Sequence, residues 1–309
     1  MSGVCKRLPA VIGFLAALQL ACPARAQNAA PEHVPLHVGF GRTSFLTVNM
    51  ADAKAAFKAF TRTVGVKKGY DLDVVVHTFE SDDDFKAAVM SNSLHLVIMV
   101  AWDYLDANLE DHLEPRFLAI ENGQGPREYV LLVKAEAPYQ ELLDLRGKDV
   151  ILLENTNCEM SENWLNTLLL EEGLGDAGSF FGRSAMETKP TKTILPVFFG
   201  QADACVVNRL VLDMMSELNP QVGRQLRAIA VSEPLVDAVT YIARDGWDQS
   251  YHRADLLESL ATLHEDPQGE QILTLFKADR LIPFEDGFMT GTRALKEKHD
   301  RLVREGSTP

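Results

Sequence analysis

Cysteine is scarce in this sequence, and the motifs that mark several large classes of enzyme are missing. The 309 residues include four cysteines. No Gly-x-Ser-x-Gly turn, His-Glu-x-x-His pair or phosphate-binding P-loop occurs, and neither Ser44 nor Ser161 has an identifiable base beside it. Because triads are set by geometry, folding can assemble one without a local motif. The sequence itself gives no support for catalysis.

Two of the cysteines, Cys5 and Cys22, lie near the N-terminus, so Cys158 and Cys205 are the pair that matters for the rest of the chain. In an oxidising compartment such a pair can form a disulfide, or it can be a soft-metal pair. Free cysteines are most often small buried hydrophobes, which is the interpretation that we favour. The eight histidines show no metal-ligand spacing, so we expect neither a metal nor a cofactor.

Basic residues are outnumbered by acidic ones, 30 to 44, which gives a formal net charge of −14. Residues 1–26 contain Lys6, Arg7 and Arg25 and no acidic residue, so the chain that follows has a net charge of about −17. This charge argues against nucleic acid and anionic membrane surfaces as partners. It does not argue against a small anionic ligand, since local amides and a few basic side chains can dominate at short range.

Long apolar runs are also rare. The run from Ala10 to Ala21 follows Lys6-Arg7 and falls short of the ~20 residues that a membrane span needs. Ala24-Arg25-Ala26 then places small residues at the positions that a signal peptidase reads. We therefore expect a signal peptide over residues 1–26 and a soluble, periplasmic mature protein. Cleavage before Cys22 with lipid attachment is the alternative, which Gln19 disfavours.

Strand-like and helix-like segments alternate along most of the remaining chain. Leu94–Val100 is a continuous apolar run, as a strand buried on both faces requires. Ala51–Val64 has apolar residues at helical spacing, and Ser81 is placed to cap the next helix. The alternation predicts an α/β protein whose sheets are mostly parallel and covered by helices.

The other predicted elements follow from the same criteria. Strands are predicted at Leu36–Phe40, Asp73–Phe79, Phe117–Ile120, Tyr129–Val133, Val150–Leu153, Phe180–Arg183, Ala202–Val207, Leu226–Val231 and Ala238–Ala243. Helices are predicted at Trp164–Glu172, Thr191–Phe199, Arg209–Leu218 and Arg253–Phe276, and in the tail from Arg293.

The length of the chain suits two lobes of ordinary size. We predict a first lobe from residues 34–133 plus 235–309 and a second lobe from residues 134–232. The chain would then cross between the lobes twice, near Val133 and near Ser232, and the two crossings would form a two-strand hinge.

Several short motifs, in this order along the chain, resemble a known family. They are Phe40-Gly41-Arg42, Leu96–Val100, Glu128–Val133, Leu145–Val150, Phe199–Ala204 and Ser232–Leu235. The sequence is similar, over essentially all of the chain after the signal peptide, to the periplasmic phosphate/phosphite/phosphonate-binding proteins of ABC importers. The resemblance implies a type II periplasmic-binding fold, a ligand clamped between two lobes, and an ABC permease as the membrane partner.

The most telling motif of that family is altered here. Phosphonate-binding members usually present a Ser-Thr-Ser-Gly turn after the second-lobe strand, whereas this sequence reads Asn157-Cys158-Glu159-Met160. Asn157 can still donate to an oxyanion, and the N-terminus of a helix still offers free amides. Glu159 would repel a phosphonate if its side chain pointed into the cleft. The resemblance therefore supports the fold more strongly than it supports the ligand class. The ligand is expected to be small and polar or anionic.

Open α/β sheets bind ligands at the carboxyl ends of their strands, and this rule selects the candidate residues. Arg42 can hold an oxyanion with two parallel hydrogen bonds, and Trp102 can stack on a ligand or simply pack in the core. Asp237 suits a ligand amine or a turn. The candidate ligand-binding residues are Arg42, Thr43, Ser44, Trp102, Asn155, Thr156, Asn157, Cys158, Thr191, Lys192, Asn208 and Asp237.

The sequence thus predicts a monomeric periplasmic solute-binding protein that closes about a hinge on a ligand of the phosphonate or phosphate class. The alternative is a periplasmic sensing subunit that reports ligand occupancy to a membrane histidine kinase or cyclase. The altered turn fits both. An exported enzyme is a third and weaker option.

Overall fold

The computed structural model describes residues 31–41, 50–153 and 160–306. These residues form two β-sheets, each flanked by helices. The strands are β1 (Glu32–Phe40), β2 (Tyr70–His77), β3 (Leu96–Val100), β4 (Leu113–Ile120), β5 (Tyr129–Lys134), β6 (Asp149–Leu153), β7 (Arg183–Glu187), β8 (Ala204–Asn208), β9 (Leu226–Val231), β10 (Ala238–Ala243) and β11 (Arg280–Pro283).

Eleven α-helices and three short 3-10 turns connect the strands within the described ranges. The helices are α1 (Met50–Lys68), α2 (Asp82–Met90), α3 (Ala101–Ala107), α4 (Met160–Glu171), α5 (Ala177–Phe180), α6 (Pro190–Phe198), α7 (Arg209–Leu218), α8 (Pro220–Gln225), α9 (Ser250–Ala261), α10 (Pro267–Leu275) and α11 (Thr290–Gly306). The 3-10 turns are Leu142–Leu145, Leu263–Glu265 and Asp286–Met289. None of these helices is both long and apolar enough to cross a bilayer.

The two sheets have the same strand order. The first reads β2-β1-β3-β10-β4, with β11 added at one edge, and the second reads β7-β6-β8-β5-β9. In the first sheet β1 to β4 run in one direction and β10 and β11 in the other. In the second sheet β5 alone runs against the other strands. The predicted α/β, two-lobed, mostly parallel architecture is confirmed.

Two of the reversed strands, β10 in the first sheet and β5 in the second, directly follow a crossing between the lobes. The chain passes from the first sheet to the second over residues 121–128 and returns over residues 232–237. The two crossings are paired, because the amide of Arg127 donates to the carbonyl of Leu235 and the amide of Leu235 donates back, both at 2.8 Å. The structure thus has two antiparallel connections between its sheets.

The first crossing comes earlier than the one predicted near Val133. Residues 129–133, assigned to the first lobe from sequence, form β5, which is hydrogen-bonded between β8 and β9 of the second sheet. Val130 and Leu131 are fully buried there. A continuous apolar run identifies a buried strand, but it does not say which sheet the strand joins.

Most predicted elements agree with the structure to within a few residues, and two do not. The predicted strand Phe180–Arg183 is the end of α5 and a bend, and β7 starts only at Arg183. The predicted helix Arg253–Phe276 is interrupted, since α9 ends at Ala261 and α10 begins at Pro267. Proline favours the first position of a helix, and Asp266 caps α10 by accepting from the amide of Gln268.

The C-terminal helix α11 packs on both lobes. In the first lobe, Lys296 pairs with Asp106 of α3 at 2.8 Å. In the second lobe, the side chains of Thr167 in α4 and His299 are 3.1 Å apart. An exposed pair, Lys298 with Glu171, adds little because solvent screens it. The helix therefore fixes part of the interface between the lobes.

Candidate functional site

The carboxyl ends of the parallel strands in both sheets lie beside the two crossings. In the first sheet, Val100 at the end of β3 pairs with Ala238 at the start of β10. In the second sheet, Asn208 at the end of β8 pairs with Tyr129 at the start of β5. Since β5 and β10 both start where the chain enters a lobe, the ligand-binding edges of the two sheets meet at the hinge.

Polar side chains from the two crossings and from the start of β5 form a network at this position. The hydroxyl of Tyr129 donates to a carboxylate oxygen of Asp237 at 2.6 Å. Arg127 pairs with Glu121 at 2.6 Å and lies 3.7 Å from Asp237. The backbone is tied in as well, because the amide of Ala101 donates to the carbonyl of Asp237 at 2.8 Å. The network links both crossings to the start of α3.

Burial has the largest effect on the pKa of Asp237 in this network. It raises the pKa of Asp237 above its ordinary value, while the positive charge of Arg127 and the hydroxyl of Tyr129 act in the opposite direction. A buried charge that is paired and hydrogen-bonded is tolerated, whereas an orphaned one is expensive. Asp237, a candidate for binding a ligand amine, is therefore already satisfied by protein groups in this structure.

Asn208 is also satisfied by the protein. It is 2% exposed, and its side-chain oxygen accepts from the amide of Val211 at 2.9 Å, which makes it the N-cap of α7. Next to it, the amide of Arg209 donates to the carbonyl of Glu128, and their side chains form an ion pair. The helix-capping role explains the choice of asparagine at this position.

Trp102 lies inside the interface between the lobes rather than open to the cleft. Its side chain is 8% exposed. The ring of His299 contacts it edge to face, with centroids 5.4 Å apart, and the ammonium of Lys296 lies 5.5 Å from its ring centre. Trp102 belongs to one buried cluster with Tyr129 and Trp164. It packs against α11 in this structure.

Thr191 and Lys192 are exposed in the first turn of α6. The ammonium of Lys192 is 3.9 Å from a carboxylate oxygen of Glu187, at the end of β7. Because β7 is an edge strand of the second sheet, two strands separate this pair from β5 and the hinge network.

One candidate that sequence analysis passed over is Ser161. It lies in the first turn of α4, is fully buried, and its hydroxyl has no hydrogen-bond partner among the residues that the structure describes. The side-chain amide nitrogen of Asn163, two residues further along the helix, likewise has no hydrogen-bond partner within the described ranges. Unpaired buried polar atoms are uncommon in native proteins, so the Ser161 hydroxyl marks a place where a polar ligand would be satisfied. The rule that helix N-termini bind anions selects this turn.

Seven of the predicted ligand residues lie outside the described residues. They are Arg42, Thr43, Ser44, Asn155, Thr156, Asn157 and Cys158. The first three directly follow β1 in the chain, and the other four fall between β6 and α4. The signal peptide predicted over residues 1–26 also lies outside the described part of the chain.

Cys205 does not lie at the ligand-binding edge of the second lobe. It is near the amino end of β8, fully buried and free, and burial raises the pKa of its thiol to about 12. Such a thiol stays protonated at neutral pH and is a poor metal ligand. No group of three or more His, Cys, Asp or Glu side chains in the described ranges could hold a metal ion.

Comparison with known proteins agrees with this architecture. Residues 45–287 match the family described as the periplasmic substrate-binding protein of phosphonate ABC transporters. No curated protein matches the sequence.

Solved structures share the fold at low sequence identity. XAC2383 from Xanthomonas citri bound to ATP has a TM-score of 0.60 and 14% identity, over 87% of this chain and 98% of its own. The binding-protein component of an ABC phosphonate transporter from Pseudomonas aeruginosa has a TM-score of 0.57 and 12% identity, over 89% of both chains.

PhnD1 from Prochlorococcus marinus in complex with methylphosphonate has a TM-score of 0.55 and 17% identity, over 86% of this chain and 98% of its own. The likeness shows that these proteins share one fold. Together with the family match over most of the chain, it confirms the resemblance found in the sequence motifs. The protein belongs to the family of periplasmic substrate-binding proteins of phosphonate ABC transporters.

Proposed function

We propose that this protein clamps a phosphonate or a closely related phosphorus oxyanion between its lobes and delivers it to the permease of an ABC importer. The observation that carries the proposal is the meeting of both sheets' ligand-binding edges at a two-stranded hinge, in a chain of this family. The methylphosphonate in the Prochlorococcus marinus structure supports the choice of ligand class. Membership of a transporter family favours import over the sensing alternative.

The first turn of α4 is the proposed anion site of the second lobe. Its free amides form the positive end of the helix dipole, and Ser161 offers a buried hydroxyl that has no hydrogen-bond partner among the described residues. We propose that Asn155 to Cys158, which precede this turn, and Arg42 to Ser44 from the first lobe complete the ligand contacts. Asp237 and Tyr129 hold the hinge rather than the ligand.

The proposal extends to the signal peptide, the oligomeric state and the composition of the two lobes. Residues 1–26 act as a signal peptide that is removed on export, and the mature protein binds its ligand as a monomer, without catalysing a reaction. The first lobe is built around β1 to β4, β10 and β11, and the second around β5 to β9. Closure favours the ligand because its contacts to the two lobes are complete only in the closed state.

Isothermal titration calorimetry of the mature protein tests the proposal. The panel is methylphosphonate, 2-aminoethylphosphonate, phosphite, phosphate, methanesulfonate and glycine. We expect saturable one-site binding of at least one phosphonate. Ser161→Ala should weaken it by about 10-fold to 100-fold, as for loss of a hydrogen bond to a charged group. Ser184→Ala, at an exposed serine of β7 in the same lobe, is the matched control. Absence of binding across the phosphorus oxyanions would refute the proposed function.

A further inference from the structure

An apolar cavity of about 90 Å³ lies inside the first lobe, between the sheet and the helices α1, α9 and α10. Phenylalanines 57 and 60 of α1 and Phe276 after α10 supply its aromatic surface, and Ile98 of β3 forms part of its floor. Thr240 is the polar exception among the described residues that line it. Apolar cavities in proteins stay dry and accept apolar molecules; one of roughly 150 Å³ holds benzene.

This cavity reaches the surface at the ligand-binding edge of the lobe. Ala119, Ala238, Phe276 and Ala278 line both the cavity and an adjoining hollow of about 100 Å³, whose other walls are mostly polar. Ala119 is exposed although it lies near the end of β4, in the interior of the sheet. The opening is thus beside the hinge, where β4 ends and β10 begins.

Small side chains keep this end of the cavity open. Three alanines stand at the opening, from β4, β10 and the segment after α10, and Ala119 is opposite Leu281 of β11. Protein interiors are normally packed as densely as organic crystals, and a leucine at any of these alanine positions would occupy part of the space. The small side chains at these positions therefore leave apolar surface uncovered at the opening.

Two acidic and two basic side chains line the hollow at the opening, namely Glu121, Asp237, Arg127 and Lys277. Arg127 is paired with Glu121 and Asp237, whereas no ion pair involves Lys277 among the residues that the structure describes. Lys277 is exposed and has φ = 53°, while the other described non-glycine residues with positive φ are all asparagine. Glycine or asparagine would adopt this conformation at lower cost. A lysine here places an ammonium group at the opening of the cavity.

We propose that this cavity binds the apolar substituent of the ligand, and that the protein's preferred substrates are phosphonates with an alkyl group of several carbons. The anionic head would lie at the hinge-side opening, near Lys277, with the apolar group inside the cavity among Phe57, Phe60 and Phe276. This inference rests on the proposed function, because it assigns the substituent of the same bound anion.

The test is calorimetric titration of the mature protein with methyl-, propyl-, butyl- and hexylphosphonate. Burial of each methylene should tighten binding about twofold to fourfold until the cavity is filled. An affinity that stays flat or falls with chain length, while methylphosphonate binds, would overturn the inference and leave the proposed function intact. Absence of binding for every phosphonate would overturn both.

Filling the cavity provides the second arm of the test. Ala119→Leu should remove the gain with chain length, so that butylphosphonate binds no tighter than methylphosphonate. Ala278→Leu does the same from the other wall of the opening, in case the first variant fails to melt cooperatively. Ala59→Leu, at an exposed position on the outer face of α1, is the matched control and should retain the gain. If both filled variants still bind longer chains more tightly, the cavity is not the source of that gain in affinity.

Removing the charge at the opening tests where the anionic head binds, independently of where the alkyl chain binds. Lys277→Met should weaken every phosphonate by a similar factor of about 10, as for the loss of one charge-assisted contact, without changing the gain per methylene. The control is Lys58→Met, at an exposed lysine of α1. A loss confined to the long-chain ligands would place the anionic head elsewhere.

Discussion

The two sheets share one strand order but differ in how their lobes are filled. In the second lobe β5 and β8 are buried along nearly their whole length, and they lie between two closed apolar clusters. In the first lobe β4 has an exposed alanine, Ala119, one residue before its end, on the wall of an open apolar cavity. The same topology thus gives one half whose central strands are fully covered and one half with room for part of a ligand.

The lobes also differ in histidine content. All eight histidines of the sequence lie outside residues 121–237, so none belongs to the second sheet or the crossings. Three of them lie together, His37 on β1, His77 at the end of β2 and His95 just before β3, and the rings of His37 and His77 are hydrogen-bonded at 2.8 Å. Acidification should therefore act on the first lobe.

The sharpest way to test the difference in packing is a pair of leucine truncations. Leu131→Ala, in the closed core of the second lobe, should lower the free energy of unfolding by about 3 kcal/mol. Leu273→Ala, on the wall of the cavity, should cost about 1 kcal/mol less, because a side chain beside an empty space has fewer atoms in contact to lose. Urea denaturation of both variants measures the difference, and equal losses would contradict it.

A second comparison concerns the contact of α11 with the hinge. A Cβ at Gly291 would overlap the carbonyl oxygen of Pro234, in the returning crossing, whereas a Cβ at Gly287 would meet nothing. Gly291→Ala should therefore destabilise the protein by about 2 kcal/mol, and Gly287→Ala should change stability very little. Thermal melting of the two variants decides this, and an unaffected Gly291→Ala protein would show that α11 does not depend on this close approach.

The hinge network can be compared with a similar hydrogen bond in the second lobe. The hydroxyls of Tyr129 and Tyr139 each donate to an aspartate at 2.6 Å, but Tyr129 is 1% exposed and Tyr139 is half-buried. Tyr129→Phe should cost about 1.5 kcal/mol, because it leaves a buried carboxylate short of a partner. Tyr139→Phe should cost less than half as much. Chemical denaturation at pH 7 gives both values, and the reverse order would refute the structural role of Asp237.

The smallest predicted effect is a dependence on pH that arises in the first lobe. Burial lowers the pKa of His77 and of His95 below the ordinary value of a histidine, and the neighbouring His37 lowers both further. The neutral forms are thus favoured by folding, so their contribution to stability is full above about pH 6.5 and is lost as the pH falls through the lowered pKa values.

Melting temperatures between pH 7.5 and pH 5 measure this loss. His77→Gln should reduce it, while His33→Gln, at an exposed histidine of β1, should leave it unchanged. An equal pH dependence in all three proteins would place the titrating group elsewhere.

Local sequence patterns identified most of the fold because they depend on short-range chemistry. The apolar runs of β9 and β10 and the span of α7 are predicted with the bounds found in the structure. The Ser81 cap is also confirmed, since its hydroxyl accepts from the amide of Asp84. The sheet to which β5 belongs could not be predicted, because it depends on pairing with β8 and β9, far along the chain.

The same limit applies to the site. Trp102 is covered by His299 of α11, and Asp237 is bonded to Tyr129, 108 residues away in the chain. No local sequence pattern predicts either contact, so the sequence suggested that both side chains were free to bind a ligand. Ser161 differs, because it lies in the first turn of α4 and the rule for anions at helix N-termini would have selected it.

The central claim, that a phosphonate closes the two lobes on each other, is tested most directly by tryptophan fluorescence of the Trp247→Phe protein. The chain has three tryptophans, and the remaining two, Trp102 and Trp164, both lie in the buried cluster between the lobes. We predict a saturable change in their emission on titration with methylphosphonate, with the midpoint found by calorimetry. Calorimetric binding with unchanged emission would contradict closure, and silence in both measurements would contradict the ligand itself.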